Sequence, residues 1–577
     1  MLDFLTRNLS LLAEGGLIVI VAAILFTARR PVLRWICSKQ RWVDLVVQRQ
    51  WLAVVLVGLL AFCASAALSF FWGVPIPQVH DEFSYLLGAD TFAQGRLSNP
   101  THPLWVHFES FHIIHQPTYA SKYPPAQALS LALGQVIGGH PVVGVWISTA
   151  FALAALCWML WAWVPPRWAL LGSMLALVHP GILIQWGQSY WGGTVAMAGG
   201  AIVFGALRRV LSRPHILNAL LLGLGIVILA NSRPYEGMVA SLPVAVVLLG
   251  WILGKNRPVL TVTLGRVLLP VALVLCLAAI VMGIYNQRVT GHPLRLAYTA
   301  HEETYALAPN FLWQDLRSQP SYRHAVMQEY NTGWSFERYD QQRSLSGWLV
   351  GARQKIVNLW RFYYGYPEGV RLAVIIPFLM LPWVIRSRWS QLALLVWGAV
   401  MLALFLIPWR APHYSAPITS LVCVLLLQGM RCLQVWRLRS APIGRALAQA
   451  VLIVTLGSFA VVFLQQMPRK TAAWAVERAR ILRQLTVTPE RHLVIVRYRP
   501  EHSPLKEWVY NEADIDGAKV VWAREMDPTQ NRKLLEYFQD RRVWLLTIEA
   551  DDLPVKLLPY QLEAQPLLED DVNGYSG

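Results

Sequence analysis

Two adjacent carboxylates, Asp81 and Glu82, lie in the stretch QVHDEFSYLLGADTFAQGRL at residues 78–97, a few residues after an apolar run. A carboxylate can remove the proton of an attacking hydroxyl, so this pair could serve a reaction on a lipid-borne substrate at a membrane surface. Adjacent residues of a helix point about 100° apart. We therefore expect one carboxylate to face a cavity and the other to cap or brace the helix. The alternative is structural, because negative charge also favours a helix N-terminus.

The segment HPLWVHFESFHIIH at residues 102–115 holds side-chain types that bind metals. His107, Glu109, His112 and His115 contain a plausible zinc ligand set, although their spacing is not that of the HExxH motif. If the segment is helical, His112 and His115 share a face. Loops at a membrane interface are often rich in His and aromatic residues without binding metal. A divalent metal ion and a metal-free loop therefore both remain open.

Apolar runs of membrane-spanning length dominate the elements that must position these residues. Hydrophobic residues make up 55% of the 577-residue chain and charged residues 14%, with a mean hydropathy of +0.41. These values predict an all-α polytopic membrane protein with about twelve transmembrane helices. The predicted spans are 14–28, 51–72, 141–163, 168–186, 193–207, 216–230, 237–254, 267–285, 371–385, 390–407, 414–430 and 448–465.

The positions of Arg and Lys predict the orientation. Alternate connections are rich in basic residues, whereas the other short connections are nearly bare, with Arg233 and Arg410 as their basic residues. The positive-inside rule places the basic connections in the cytoplasm. Both termini, the acidic pair and two large loops, at 73–140 and 286–370, are then expected outside. The basic connections are 29–50, 165–167, 208–215, 255–266, 386–389 and 431–447.

The net charge of +17 does not indicate nucleic acid as a partner. From residue 468 onward the chain has 16 basic and 18 acidic residues, so the positive excess lies in the membrane part. Topology and anionic lipids explain a positive excess in cytoplasmic loops. None of the six cysteines lies in a predicted outside loop or in the tail, and we expect no structural disulfide.

Two soluble elements complete the predicted architecture. The apolar stretch after Pro125 is short for a span, and we predict a helix that lies in or dips into the interface. In the tail, RHLVIVRY, AKVVWAR and RRVWLLTI read as three short strands, with a helix near 528–539 before the last. We therefore predict a membrane domain at 1–467 and a small C-terminal α/β soluble domain at 468–577.

The motif DEFSYLLGADTFAQGRL, followed about 25 residues later by SKYPPAQAL, resembles the first outside loop of the polytopic GT-C glycosyltransferases. This group includes the protein O-mannosyltransferases and the lipid A aminoarabinose transferases. The family pattern is an acidic pair, a helix closed by Gly, and a Lys-Pro-Pro-like element before an interfacial helix. The residues that match in order and topological place are Asp81, Glu82, Gly95, Lys122, Pro124 and Pro125.

The resemblance implies a reaction and roles for residues. The family passes a sugar from a polyprenyl phosphate to an acceptor at the outer membrane face, and an inverting hexosyl- or pentosyltransferase is expected here. Asp81 is the expected base, with Glu82 as its partner. Lys122, Arg233 and Arg410 are expected to stabilise the leaving phosphate. For Arg233 and Arg410 the alternative is an arginine that snorkels to the interface.

Aromatic and polar side chains are expected to line the substrate pocket, namely Tyr123, Tyr190, His413 and Tyr414. The chain departs from the family pattern in two places. Tyr123 is inserted between Lys122 and the prolines, and the next predicted outside connection, QWGQSYWGGT, has no carboxylate. These departures argue against assigning the chain to one subfamily and against carrying over the metal requirement of that subfamily.

Three functional hypotheses follow. The first is an integral glycosyltransferase of the inner membrane of a bacterial cell envelope, with a polyprenyl-phosphate sugar, membrane lipids and a lipid, glycan or protein acceptor as partners. The second is a lipid or sugar-lipid transporter, which should carry polar residues near the bilayer midplane and broken helices. The third is a catalytically silent scaffold. Ionisable residues cluster at helix ends and in loops, which favours the first hypothesis.

Overall fold

The computed structural model describes residues 2–27, 44–254, 258–364, 372–438, 441–466, 471–548 and 555–561. The predicted domain boundary at 467/468 lies outside these residues. So do most of the first predicted cytoplasmic segment and the end of the second large loop.

Long apolar helices form the membrane part. Eight described helices have the length and composition to cross a bilayer, and they coincide with eight of the predicted spans. The structure thereby confirms a mostly helical polytopic membrane protein. The eight are Gln50–Trp72, Pro141–Trp163, Gly193–Ser212, Pro234–Leu253, Leu260–Thr290, Arg388–Phe405, Pro412–Val435 and Ile443–Gln465.

The other four predicted spans are shorter or interrupted. Residues 14–28 and 216–230 correspond to the apolar helices Glu14–Thr27, the end of Leu2–Thr27, and Ile216–Ala230. Residues 168–186 divide into the helix Pro166–Leu177 and a π-helix at Gly181–Trp186, separated by a segment that contains Pro180. Residues 371–385 divide into Leu372–Leu379 and Leu381–Val384, with Pro377 inside the first and Pro382 at the start of the second. Proline lacks the N–H that would continue a helix, which explains both interruptions.

The first large loop is folded around two helices. The DE helix, His80–Ala93, carries the acidic pair in its first turn. The PP helix, Pro125–Gly138, begins with Pro125 at its first position, where a missing N–H costs nothing. Between them lie the 3-10 helix Trp105–Phe108 and three short strands in the order β1-β3-β2, namely β1 Asn99–Pro100, β2 Ile113–Ile114 and β3 Thr118–Ser121.

Small residues hold these helices close together. A Cβ atom added at Gly88 of the DE helix would lie 2.9 Å from the Cβ of Ala128 in the PP helix. A Cβ at Gly134 would lie 1.9 Å from the backbone N of Gly144, at the start of the next long helix. The acidic pair is therefore fixed, through the PP helix, to the membrane part.

The described part of the second large loop has helices before and after an irregular segment. The helix Ala297–Tyr305 follows the long helix that ends at Thr290. The later elements are the helix Ala325–Gln328, a π-helix at Glu329–Trp334, and the helices Ser335–Asp340 and Leu345–Tyr364.

The C-terminal domain is a small α/β unit, as predicted. Its strands are β4 Arg491–Tyr498, β5 Val520–Arg524, β6 Arg541–Ile548 and β7 Leu557–Pro559, in the order β5-β4-β6-β7. The first three are parallel, and β7 is antiparallel to β6. The helices Ala473–Thr486 and Pro528–Tyr537 belong to this domain.

One apolar core joins the C-terminal domain to the first large loop. Phe83 and Leu87 of the DE helix belong to the same buried cluster as Trp508, Tyr510 and Trp522 of the tail. Burial of apolar surface is the main stabilising term in folding. The tail is therefore packed as a part of the loop that carries the acidic pair.

Candidate active site

Asp81 lies in the first turn of the DE helix and is half-buried. Its Oδ1 accepts a hydrogen bond from the hydroxyl of Tyr123, the residue inserted between Lys122 and the two prolines. The tyrosine ring stacks on Tyr85, with ring centroids 4.6 Å apart. The two halves of the sequence motif therefore meet at Asp81.

Glu82 is buried and points elsewhere. Its two carboxylate oxygens accept hydrogen bonds from the backbone N–H groups of Gln78, at 2.8 Å, and of Tyr190, at 3.0 Å. One of these groups lies at the entrance to the DE helix, and the other lies in the connection QWGQSYWGGT. Glu82 thus ties two loop segments together, whereas Asp81 is accessible to solvent.

Lys122 forms a buried ion pair with Glu302 of the second large loop. The Nζ atom lies 3.1 Å from Oε1 of Glu302, and the two side chains are only 5% and 9% exposed. The same Nζ lies 4.9 Å from the ring centroid of Tyr298 and 5.4 Å from that of Tyr123. Aromatic faces and a carboxylate both attract an ammonium group, so these contacts offset part of the cost of burying Lys122.

Neighbouring basic side chains keep Glu302 ionised. Burial by itself would raise the pKa of Glu302, but Lys122 and His301 lower that pKa to about 2. Arg317 adds a guanidinium nitrogen 3.7 Å from Oε2. Glu302 could not be predicted from the sequence, because HEETY lies 180 residues from Lys122 and belongs to no recognised motif.

The backbone of His112 positions both halves of the site. His112 has a φ of 61°, a conformation that residues other than glycine rarely adopt. Its carbonyl oxygen accepts hydrogen bonds from the Ser84 hydroxyl of the DE helix, at 2.6 Å, and from the Lys122 backbone N–H, at 3.2 Å. Strained backbone that is retained in a structure is concentrated at functional sites.

Arg233 is a second buried cation, at the start of the long helix Pro234–Leu253. Its guanidinium carbon lies 4.9 Å from the ring centroid of Tyr414. The His413 ring lies 4.6 Å from the rings of both Tyr414 and Trp191. Three of the residues predicted for phosphate and pocket, Arg233, His413 and Tyr414, therefore adjoin one another.

Arg410 lies in a different group of cations. It donates a hydrogen bond to the side chain of Gln354, in the helix Leu345–Tyr364. Lys355 of that helix is buried and donates to the carbonyl of Ile407 at 2.5 Å. Burial and the nearby charge of Arg410 lower the pKa of Lys355 to about 8. The hydrogen bonds of Arg410 are thus made to the helix Leu345–Tyr364, and its charge acts on Lys355.

Tyr190 has a bracing position. Its hydroxyl donates to the carbonyl of Pro75 at 3.0 Å, and its own carbonyl accepts from Gln127 of the PP helix at 2.9 Å. Together with the bond from its N–H to Glu82, these contacts engage both its backbone and its side chain. Tyr190, predicted to line the pocket, thus joins the connection QWGQSYWGGT to Pro75 and to the PP helix.

The four predicted metal ligands each have a separate contact. His107 Nδ1 lies 3.0 Å from the Arg524 carbonyl, and Glu109 accepts from the Tyr305 hydroxyl at 2.8 Å. His112 Nε2 lies 3.3 Å from the Tyr330 hydroxyl, and His115 Nε2 accepts from the Ser110 N–H at 3.3 Å. The segment is a 3-10 turn and a short strand, so the helical arrangement considered for it is wrong. In the part of the chain that the structure describes, no three His, Cys, Asp or Glu side chains are grouped to hold a metal ion.

The pKa values of three histidines around the site are lowered. Burial lowers the pKa of His80 and of His301 to about 4, and it lowers that of His112 well below its usual value. The positive charge of Lys122 acts in the same direction on all three. These imidazoles are therefore neutral at pH 7 and can both donate and accept hydrogen bonds.

The chain is similar to several solved protein structures. Nineteen of their chains resemble this one. One is ArnT from Cupriavidus metallidurans bound to undecaprenyl phosphate, with a TM-score of 0.46, 11% identity, and coverage of 88% of this chain and 93% of that chain. Another is the oligosaccharyltransferase AglB from Archaeoglobus fulgidus with an inhibitory peptide and a dolichol-phosphate, with a TM-score of 0.45, 11% identity, and coverage of 86% and 69%. No family model and no curated protein matches the sequence.

Proposed function

We propose that this chain is an integral membrane glycosyltransferase that moves a sugar from a polyprenyl-phosphate donor to a hydroxyl of a lipid, glycan or protein acceptor. The main support is the convergence of Asp81 and Lys122 on Tyr123, whose hydroxyl binds the carboxylate and whose ring lies beside the ammonium. A base and an anion-binding group are thereby held in one site. This pair of groups is what transfer from a phosphate leaving group requires.

In the proposed reaction, Asp81 accepts the proton of the acceptor hydroxyl. The hydroxyl oxygen then forms a bond to the anomeric carbon of the sugar, and the bond from that carbon to the phosphate oxygen breaks. The electron pair of the broken bond leaves with the polyprenyl phosphate. A single displacement of this kind inverts the anomeric configuration. Asp81 afterwards releases its proton to water.

Lys122 and Arg233 are the groups that stabilise the leaving phosphate in this mechanism. Phosphate departs without an acid if fixed cations neutralise the charge that develops on it. Both residues are buried, so their charges are screened less than those of exposed cations. Arg410 belongs with Lys355, and we assign that pair to the approach of the lipid phosphate rather than to the reacting bond.

In this mechanism, Glu302 pairs with Lys122 until the donor phosphate binds. Without donor, the ammonium is paired with Glu302, which avoids the cost of a buried unpaired charge. The donor phosphate then competes with Glu302 for Lys122, while the positive guanidinium of Arg317 and the neutral imidazole of His301 stay beside the released carboxylate. The positive charge is thus available for the donor without being left unpaired in the empty site.

The orientation belongs to the same proposal. The basic connections predict that the two large loops, the C-terminal domain and both termini lie on the outer face of a bacterial inner membrane. The lipid tail of the donor would stay in the bilayer, and its sugar phosphate would reach Asp81 at the surface.

The test is transfer by purified protein. Undecaprenyl-phosphate-linked hexose and pentose donors are incubated with lipid, glycan and peptide acceptors, and mass spectrometry follows product and released undecaprenyl phosphate. We expect one donor class to be consumed by the wild type and by Asp315→Asn, an exposed carboxylate control. Asp81→Asn should transfer sugar about 10²–10⁴-fold more slowly. Lipid binding or movement across vesicles without sugar transfer by the wild type would contradict the proposal and favour a transporter.

A further inference from the structure

A segment of the C-terminal domain lies directly on the helix that carries Asp81. Residues 507–513 lie within the connection from β4 to β5 and have no regular secondary structure, yet five of the seven residues are buried. The closest contact is made by Tyr510. Its ring stacks on Phe83 with a centroid distance of 4.1 Å and an interplanar angle of 3°.

The hydroxyl of the same tyrosine reaches the other side of Asp81. It lies 2.8 Å from Nδ1 of His80, the first residue of the DE helix. His80 precedes Asp81, and Phe83 follows it by two positions. A single side chain of the tail therefore fixes the first turn of the DE helix on both sides of Asp81.

The tail also forms a hydrogen bond near each end of the DE helix. The N–H of Ala513 donates to Oδ2 of Asp90, at 2.8 Å, in the last turn of the helix. At the other end, the N–H of Ala472 donates to Oε1 of Gln78, at 2.8 Å. The C-terminal domain thus contacts both ends of the DE helix, and Tyr510 contacts residues on both sides of Asp81 in the sequence.

Tyr510 is itself rigidly held. Arg478 of the helix Ala473–Thr486 donates to the carbonyls of Trp508, at 2.9 Å, and of Tyr510, at 2.8 Å. The guanidinium also lies 5.0 Å from the ring centroid of Phe83. Glu507, at the start of the segment, forms a fully buried ion pair with Arg524 at 2.6 Å. A side chain held by these contacts can fix the position of the helix turn that it touches.

We propose that Tyr510 is a positioning residue that holds Asp81 in the orientation required for proton removal, so that the C-terminal domain completes the active site. This inference rests on the proposed function. The DE helix has no side-chain cap at Val79, and the Tyr510–His80 contact supplies a hydrogen-bonded anchor at that end. Misplacement of a reacting group by about 1 Å can cost about 10²-fold in rate.

The experiment uses the full chain in detergent or nanodiscs. Tyr510→Phe keeps the ring that stacks on Phe83 and removes the hydroxyl that contacts His80. For Tyr510→Phe we expect kcat to fall by about tenfold with the KM for the donor unchanged. For Tyr510→Ala we expect kcat to fall by about 10²-fold. Tyr537→Phe is the matched control, because it removes a phenol hydrogen bond to Asp516 on the exposed side of the same domain.

Two further measurements separate positioning from a merely structural role. The loss caused by Tyr510→Phe should disappear in an Asp81→Asn background, because a residue that acts through Asp81 has no effect without it. Hydrogen exchange over residues 79–93 should become faster in Tyr510→Phe while the thermal midpoint stays close to that of the wild type.

Unchanged kcat in Tyr510→Phe, in a preparation whose wild type transfers sugar, would overturn the inference and leave the proposed function intact. A fall in kcat that persists in the Asp81→Asn background would also overturn it. If the wild type transfers no sugar, the proposed function fails. Hydrogen exchange then decides whether Tyr510 holds the DE helix, and unchanged exchange would overturn the positioning role as well.

Discussion

The hydroxyl of Tyr123 donates a hydrogen bond to Oδ1 of Asp81. Tyr123 is the residue that separates Lys122 from Pro124 and Pro125, so the departure from the Lys-Pro-Pro pattern provides a direct partner for the acidic pair. A phenol that donates to a carboxylate fixes the orientation of that carboxylate. The insertion therefore links the anionic and cationic sides of the site through one side chain.

The two members of the acidic pair should respond differently to removal of charge. Asp81→Asn keeps the size of the side chain but removes its basicity, so we expect transfer to fall by about 10²–10⁴-fold with little loss of stability. Glu82→Gln replaces one acceptor oxygen by a donor, which leaves the N–H of Gln78 or of Tyr190 without its partner.

Glu82→Gln should therefore lower the free energy of unfolding by about 1–3 kcal/mol. Activity assays and thermal unfolding in detergent check both variants. Normal transfer by Asp81→Asn together with a stable but inactive Glu82→Gln would reverse the two roles.

Tyr123→Phe tests the hydrogen bond to Asp81. The variant keeps the aromatic ring beside Tyr85 and Lys122 and loses only the hydroxyl, so we expect kcat to fall by about tenfold. Tyr322→Phe is the control, because it removes a phenol hydrogen bond to a backbone carbonyl in the second large loop. Equal kcat values for the two variants would show that the Tyr123 hydroxyl has no part in the reaction.

Lys122→Ala should reduce turnover by roughly 10²–10³-fold, as expected when a group that stabilises developing negative charge is lost. Lys122→Arg should rescue only in part, because a guanidinium has a different shape and donor geometry. Steady-state kinetics with the identified donor check this, with the exposed Lys533→Ala as control. If Lys122→Ala turns over close to the wild-type rate, the SKYPP motif has only a structural role.

Glu302→Gln should destabilise the protein more than Lys122→Ala does. Removal of Glu302 leaves Lys122 buried beside Tyr298 without a counter-charge, which costs about 3–5 kcal/mol. Removal of Lys122 leaves Glu302 with Arg317 and His301. Thermal unfolding of the two variants compares these costs, and the reverse order of stability would contradict the assigned pairing.

Stability should fall as the pH decreases from about 6.5 to 4. Burial lowers the pKa of His80 and of His301 to about 4, so the folded state keeps these rings neutral while the unfolded chain binds protons near its ordinary value of 6.5. The stabilisation is complete above pH 6.5 and is lost as the pH falls toward 4, at about 3 kcal/mol for each histidine.

Thermal unfolding between pH 7.5 and 4.5 measures this slope. His80→Gln and His301→Gln should each reduce it, and His292→Gln is the control, because that side chain is exposed. The same slope in all four proteins would show that these buried histidines do not determine the response to acid.

The proposed orientation can be tested by labelling single cysteines in a variant without the six native ones. Ser318 and Lys533 are exposed positions in the second large loop and the C-terminal domain, and Ser212 is exposed in a predicted cytoplasmic connection. We expect a membrane-impermeant reagent to label cysteines at the first two in intact cells, and the third only after lysis. Labelling of the third position alone would invert the topology and the proposed side of the reaction.

Sequence alone determined the elements whose signal is local. Continuous apolar composition predicted the eight long helices, and strand-like runs predicted the parallel strands of the tail. The acidic first turn and the Pro-Pro start predicted the DE helix and the PP helix. Each of these features depends on residues within a few turns of one another, so hydropathy, capping and proline geometry suffice.

Tertiary structure alone decided which side chains meet. Glu302 reaches Lys122 across 180 residues of chain, and Tyr510 reaches His80 across 430. The four residues considered as metal ligands took four different partners for the same reason. A buried polar group must find a partner wherever the packed chain provides one, and no local pattern encodes that choice. The helices that carry the site could therefore be predicted from the sequence. The hydrogen-bond and ion-pair partners of the site residues are determined by how the loops and the C-terminal domain pack together.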